Sequence, residues 1–403
     1  MNAPWIVAAL KKADPGLFDR LHSELTEERV FQVLKPLADC PAPSQTVPYT
    51  RGRLIEQMFS RGGPLEHARL HFSPNFRNTG NCVLLIGEQP EAKKVWLLAH
   101  LDVISYLIDQ IEGERYLLMP FCYHMMLPGR QPGIALEYNL ERKGLEIAAQ
   151  GYLVTEASGS IFFEPTRPVD LHPGQRICFS SQLAWDRESG RITGSLDDAA
   201  GCAALLLAAK FLADYNAEIM VCLSDEEEGV AAAGNQTIGR GAARLLQAFD
   251  QPELVISCDF HEAGSMREGH GPKGLKPGDG AVFAEKASRA RGEVTPPHLY
   301  EFERQLAFEL GKEGIRLQEN IGGYIGRSDG TNAMLRTPNV AILGFLGENR
   351  HFEQAASSAN IRDLADLAKA IVCYVLAVGT APVPDWEHGS VRPHRTNDKL
   401  PPR

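Results

Sequence analysis

The sequence predicts an α/β protein: a mixed, largely parallel sheet with helices on both faces, interrupted by a small β-rich insert domain. Three observations carry this reading. First, short apolar runs of strand length alternate with longer Ala- and Leu-rich runs over residues 193–380. Second, a run of the same strand type, VWLLA at 95–99, lies well before that stretch and ends at a histidine. Third, residues 107–192 change character. Turn pairs at Pro128-Gly129, Pro132-Gly133 and Pro173-Gly174 separate short β-like runs such as GYLVT (151–155) and SIFF (160–163). The expected organisation is therefore a catalytic domain in two parts, 1–106 and 193–380. An insert over 107–192 is suited to dimerisation or substrate contact, and a flexible tail follows at 381–403.

Taken in order, residues 15–37 read as a helix that starts near Asp14. The loop from Cys40 to Pro48 is rich in turn formers, and a helix follows around 50–60. After the insert, residues 198–214 are strongly helical by their Ala and Leu content. EIMVCLS (218–224) and ELVIS (253–257) are strands, with a helix between them at 239–249. Residues 280–286 read as a strand, 297–311 as a helix, NVAILGF (339–345) as a strand and 360–378 as the last helix. The tail from Pro382 is rich in proline and charge, which favours disorder.

Bulk numbers limit the function classes. The 403 residues are 44% hydrophobic, enough for one large core or two domains. A formal net charge of -10 argues against nucleic acid and against anionic membranes. Eight cysteines are scattered with no C-x-x-C pair, several inside apolar runs, which fits reduced core thiols. The N-terminus has its apolar stretch before Lys11-Lys12, the reverse of a secretory signal. No apolar run reaches the ~20 residues of a membrane span. The expected location is the cytoplasm.

The chemistry lies in where the metal-capable side chains fall. His100 and Asp102 follow VWLLA. Glu226 and Glu227 follow EIMVCLS, Asp259 follows ELVISC, and His351 comes soon after NVAILGF. Asp197 stands just before the Ala/Leu helix. Ligands of open α/β sheets bind outside the carboxyl ends of the strands, so these residues should converge on one edge. Singly, each has a plainer explanation: a surface histidine, a turn aspartate, or an acidic helix start favoured by the dipole. Two histidines and several carboxylates, all at strand ends, point instead to a metal site. With no cysteine among them, a catalytic site with open positions is favoured over a closed structural one.

The strings AHLD (99–102), SLDDAAGC (195–202), DEEEG (225–229), SCD (257–259) and GRSDG (326–330) together resemble the clan of co-catalytic di-zinc metallopeptidases. Within it they are most similar to the tetrahedral aminopeptidases, which include glutamyl and deblocking enzymes. The resemblance covers roughly residues 25–380 and includes the insert. It implies hydrolysis of peptide bonds that releases N-terminal residues, through a water bridging two zinc ions. His100, Asp197 and Asp259 would hold one ion. Glu227, His351 and the shared Asp197 would hold the other. Manganese or cobalt could replace zinc in such an N/O site. Glu226 would act as general base, and Asp102 would accept from His100 and fix its tautomer. The peptide between Asp197 and Asp198 would be cis. The expected partners are a peptide substrate and further copies of the chain, with no nucleic acid and no membrane. Two other readings are an amidohydrolase or carboxypeptidase acting on acylated amino acids, and a non-catalytic homologue serving as an interaction scaffold. His261, two residues after Asp259, is read either as a support for the site or as a satisfied loop histidine.

Overall fold

Apolar runs that are buried on both sides pair most readily in parallel under covering helices, and the chain follows this rule. The structure, a computed structural model, describes residues 3–87, 93–229, 239–248, 252–263, 275–321 and 323–379. The first strands are β1 (Leu70–Ser73), β2 (Cys82–Ile86) and β3 (Val95–His100). The insert contributes β4 (Tyr106–Glu112), β5 (Arg115–Pro120), β6 (Gly129–Asn139), β7 (Gly144–Thr155), β8 (Ile161–Pro165) and β9 (Arg176–Phe179). Then come β10 (Ala184–Trp185), β11 (Arg191–Gly194), β12 (Ile219–Ser224), β13 (Leu254–Glu262) and β14 (Ala281–Ala284). The last are β15 (Leu317–Glu319), β16 (Tyr324–Ile325), β17 (Val340–Glu348) and β18 (Ser357–Asn360).

One twelve-stranded sheet runs β1-β2-β12-β3-β13-β17-β18-β11-β10, with β14, β15 and β16 attached beside this path. Its centre, β12-β3-β13-β17, is parallel. Its margins are antiparallel. The expected largely parallel sheet is thus present as the central part of a mixed one.

Helices cover both faces, as the sequence predicts. They are α1 (Ala3–Ala13), α2 (Leu17–Glu24), α3 (Glu27–Asp39), α4 (Arg51–Phe59), α5 (Ala199–Ala213), α6 (Arg240–Ala248), α7 (Pro297–Lys312), α8 (Gly330–Ala333) and α9 (Ile361–Gly379). Leu97 and Ala99 of β3 pack on the side of α5 and α9, while Trp96 and Leu98 pack on the side of α6. This is the period-two alternation of a strand buried on both faces. Every residue of α5 except Lys210 is buried, so it is apolar all round and forms the inner helix of the larger core. Asp198 caps it by accepting from the Gly201 N–H at 3.1 Å.

Three differences from the sequence reading have local causes. The helix expected over 15–37 is two, because Thr26 starts a new one by accepting from the Arg29 N–H. The N-terminal apolar stretch is a helix, α1, packed against α7 and α9. The barrel strands of the insert end at Phe179, whereas the reading carries the insert to 192. Strand β11 instead pairs onto β18 of the main sheet, with β10 beside it at the edge, and Ile192 is buried in the main core. Strands β4-β5-β8-β7-β6-β9 close into a barrel with its own core around Tyr106, Leu153, Phe163 and Ile177. The tail from Pro382 lies outside the described residues.

One buried acid in the main core gives a stability test. Glu303 of α7 is fully buried; its Oε1 accepts from the Tyr374 hydroxyl at 3.3 Å, and its Oε2 has no partner. Burial pushes its pKa well above the usual 4.5. An acid raised on folding binds a proton that the unfolded chain has already released. Its contribution therefore falls as pH rises from the unfolded value toward the folded one, by up to about 1.4 kcal/mol per pH unit. Glu303→Gln keeps an acceptor for Tyr374 and cannot ionise. Urea unfolding between pH 5 and 8 should show the variant losing less stability with pH than the native chain. Equal slopes would refute the neutral-acid account.

Candidate metal centre

The parallel register aligns the carboxyl ends of the central strands. Ser224 lies beside His100, and Ser257 beside Leu98, so the residues that follow emerge on one edge. His100 ends β3 and is buried. Its Nε2 lies 3.2 Å from Asp197 Oδ1, 3.8 Å from Asp259 Oδ1 and 3.8 Å from Glu227 Oε2. His351 Nε2, delivered by the loop after β17, lies 2.9 Å from Glu228 Oε1 and 3.5 Å from Asp197 Oδ2. Asp197 therefore presents one oxygen to each histidine. The peptide joining it to Asp198 is cis.

Both imidazoles are oriented alike. His100 Nδ1 faces the Asp102 carbonyl at 3.1 Å, and His351 Nδ1 faces the Tyr123 carbonyl at 3.3 Å. A carbonyl can only accept, so each Nδ1 is a donor and each Nε2 is the nitrogen turned toward the carboxylates. Asp102 does more than flank His100. Its carboxylate accepts from Ser44 Oγ at 2.6 Å and from the backbone N–H groups of Glu227 and Glu228 at 3.1 and 3.0 Å. It thus ties the loop before α4 and the acidic corner after β12 to the end of β3.

The acidic run is arranged one residue further along than the spacing alone suggests. Glu226 takes a left-handed backbone, φ 64°, fixed by its N–H donating to Asp225 Oδ1 at 2.7 Å. Its carboxylate turns away from the centre to Arg244, 2.5 Å distant. Glu227 faces His100, and Glu228 rather than Glu227 meets His351. The sequence reading paired Glu227 with His351 and kept Glu226 free at the centre. The turn at Glu226 shifts both positions by one.

Three groups of side chains offer donor atoms within 4.8 Å of one another: His100–Asp197–Asp259, His100–Glu227–Glu228 and Asp197–Glu228–His351. Despite these approaches, Asp197 Oδ2 and His351 Nε2 are buried without a hydrogen bond of proper geometry. They converge on common points rather than on each other, which is the arrangement a cation would complete. Imidazole nitrogen and carboxylate oxygen also suit zinc and related divalent ions. The residues present fit the implied metals.

The electrostatics agree. Burial pushes the Asp259 carboxyl up to about 7, with the charge of Asp197 adding to it. Burial likewise lifts Glu227 well above the usual carboxylate range, against the pull of His100 and with the push of Glu228. Burial opposes the charged form of His351 too, but Glu228 and Asp197 together outweigh it and raise this histidine to about 10. These carboxylates crowd more negative charge than the adjacent histidines can balance. By contrast, His261 is buried against Asn320, and burial pushes it down to about 3. It is a neutral histidine that does not join the cluster.

Sequence reasoning missed four contributors. Glu228 is the last acid of the run 225–228, of which only Glu226 and Glu227 were assigned. Cys122 and Tyr123 lie in the insert, yet the Cys122 thiol donates to Glu228 Oε2 at 2.8 Å. Arg350 sits beside the bridging carboxylate, its Nε 3.9 Å from Asp197 Oδ2. Its place next to His351 was the only available signal.

Comparison with known proteins now bears on this geometry. The family model described as M42 glutamyl aminopeptidase matches residues 164–369, about half of the chain. The chain belongs to the M42 glutamyl aminopeptidase family. A comparison with curated protein sequences finds no match. Among solved structures, the chain is similar to a TET aminopeptidase from a marine sediment archaeon of the Thaumarchaeota, with 13% identity, TM-score 0.67, and 86% and 96% of the two chains covered. It is similar to aminopeptidase APDkam598 from the archaeon Desulfurococcus kamchatkensis, with 16% identity, TM-score 0.65, and 88% and 96% covered. It is also similar to the TET1 peptidase of Pyrococcus horikoshii, with 18% identity, TM-score 0.62, and 86% and 99% covered. That peptidase is described as assembling into a tetrahedron or a large octahedral shell. At these identities the likeness establishes the fold, and M42 membership supports peptide hydrolysis. No helix among the described residues is long and apolar enough to cross a membrane.

The Asp102 hub can be tested directly. Asp102→Ala should leave the secondary structure intact by circular dichroism while weakening metal retention about 10- to 100-fold, the usual cost of removing a ligand-orienting group. Metal titration by calorimetry reads this. Unchanged affinity would show that the hub does not hold the centre.

Proposed function

We propose that the chain is a metal-dependent aminopeptidase that removes N-terminal residues from peptides. The observation that carries this reading is Asp197, which offers one oxygen to each of two clusters, His100–Asp259 and Glu228–His351. In this reading His100, Asp197 and Asp259 hold one divalent ion, and Asp197, Glu228 and His351 hold the second. Zinc is favoured, with manganese or cobalt as alternatives. Two such ions, when bound, polarise the scissile carbonyl and lower the pKa of a water toward ~7. Glu227 is then the general base in place of Glu226. Its carboxyl lies near both clusters, belongs to neither bridging set, and is buried enough to hold a proton between two transfers. It takes the proton from the attacking water and returns it to the departing amine. Asp102 and the Tyr123 carbonyl keep the two histidines in the ligand tautomer. A cytoplasmic place and a homo-oligomeric state follow from the family reading, with the barrel as the natural contact.

Metal content and turnover on the same sample test this. After zinc reconstitution, two ions per chain and hydrolysis of some members of an aminoacyl-anilide panel are expected. Glu227→Gln should retain both ions and lose about 10²- to 10⁴-fold in kcat. Glu226→Gln should stay within a few-fold of the native chain. The opposite ranking would return the base to Glu226, and failure to bind stoichiometric metal would remove the catalytic reading. Light scattering of the native chain should give a multiple of the monomer mass.

A further inference from the structure

We propose that Arg350 is a catalytic residue whose guanidinium binds the oxygen of the scissile carbonyl and the oxyanion it becomes. This rests on the peptidase reading above. Two arginines of the chain show why the assignment is to catalysis and not to packing. Arg51 is fully buried, and its guanidinium donates to the carbonyls of Leu37, Cys40 and Leu101 at 2.8, 3.2 and 2.6 Å. That is a structural arginine. The Arg350 side chain is only 12% exposed, yet its guanidinium makes no hydrogen bond to any described residue. Among the described residues its acidic neighbours within 4 Å are Glu262 at 3.4 Å and Asp197 at 3.9 Å, both approached through Nε, and the Tyr324 ring lies 6.0 Å from the guanidinium. The four Nη–H donors of a rigid fork thus have no hydrogen-bond partner among the described residues, beside the bridging carboxylate.

The backbone is built to deliver this group. Asn349 and Phe352 both adopt left-handed conformations, φ 54° and 58°, on either side of Arg350 and His351. The two consecutive side chains both reach Asp197 as a result. Phe352 is held by stacking on Phe179 of the barrel at 4.3 Å, and Gln131 donates to its carbonyl at 2.5 Å. Gly326 leaves room: a Cβ there would stand 2.3 Å from Arg350 Nη1. Glu262 supplies a counter-charge, so a permanent cation can sit near a metal centre.

Open donors fixed where negative charge develops are the means by which an enzyme lowers such a barrier. As the water oxygen bonds to the carbonyl carbon, the C=O π pair moves to the carbonyl oxygen, which Arg350 receives. On collapse that pair re-forms C=O, the C–N bond breaks, and the amine leaves with the proton carried by Glu227. Arg350 is not oxidised, reduced or deprotonated at any point.

The test uses zinc-reconstituted native chain, Arg350→Gln, Arg350→Lys and Gly326→Ala. Calorimetry measures binding of the aminophosphonic acid analogues of leucine and glutamate, which carry a tetrahedral anion in place of the carboxyl group. Steady-state kinetics on an aminoacyl anilide and metal content are read on the same samples. The expected result for Arg350→Gln is a loss of about 10²-fold in affinity for both phosphonates. A fall of about 10²- to 10³-fold in kcat should accompany it, with KM within a few-fold and two ions retained. Lysine should restore part of each, and Gly326→Ala, which displaces the guanidinium without removing its charge, should reproduce the loss. Unchanged affinity for the leucine analogue overturns the proposal. So does a loss confined to the glutamate analogue, which would make Arg350 a reader of acidic side chains. A loss that merely tracks missing metal overturns it as well. A native chain that binds the phosphonates through Arg350 but hydrolyses no aminoacyl amide would overturn the peptidase reading alone.

Discussion

The structure is governed by a concentration of buried negative charge at the carboxyl edge of four parallel strands. Asp102, Asp197, Glu228 and Asp259 are all nearly inaccessible, and Glu227 is scarcely less so. Carboxylates taken out of water this way are costly unless cations or donors face them. The chain answers with fixed donors wherever a carboxylate has a scaffolding task. Asp102 takes two backbone N–H groups and a hydroxyl, and Asp225 takes N–H groups from Gln45, Val47 and Glu226. Among the acids that face the two histidines the donors are fewer, and the oxygen that Asp197 turns toward His351 is left bare.

The barrel belongs to this arrangement although it is far from it in the chain order of the ligands. The segment after β5 brings the Tyr123 carbonyl to His351 and the Cys122 thiol to Glu228. Phe179, at the end of the barrel sequence, and Gln131 of β6 hold Phe352. The second histidine is therefore positioned by two surfaces at once, the end of β17 and the wall of the insert. A domain inserted between His100 and Asp197 in sequence acts as part of the mould for His351. The Tyr123 hydroxyl also accepts from Arg327 at 3.4 Å, which ties the same segment to the loop before α8.

The fold was legible because its signals are local and repeated. The runs 95–99, 218–224, 253–257 and 339–345 are buried on both faces, and nothing but a covered, mostly parallel centre accommodates four of them. Strands β1 and β2 escaped because they lie among turn formers and short polar stretches. The hairpin β10–β11 was assigned to the insert because two short strands after a β-rich region look like more of it. Only pairing with β18, 163 or more residues away by register, places them in the main sheet. Long-range pairing of this kind leaves no imprint on a window of sequence.

The site was legible to the resolution of an element but not of a residue. His100 ends β3, Asp197 precedes α5, Asp259 lies in the last half of β13 and His351 follows β17, and the element fixes where such a residue emerges. Glu226, Glu227 and Glu228 are consecutive, and their directions depend on one backbone angle. With an ordinary negative φ at the first of them, a different member would meet His351. A positive φ on a glutamate is unfavourable by itself and persists only because Asp225 and the Asp102 hub over-determine the corner. That determination comes from the loop at 44–47 and the end of β3, more than a hundred residues away. The same reasoning covers Arg350. Its identity is visible in the sequence, but its role depends on two left-handed neighbours and on the missing side chain of Gly326, and none of these has meaning until the barrel and the sheet are brought together.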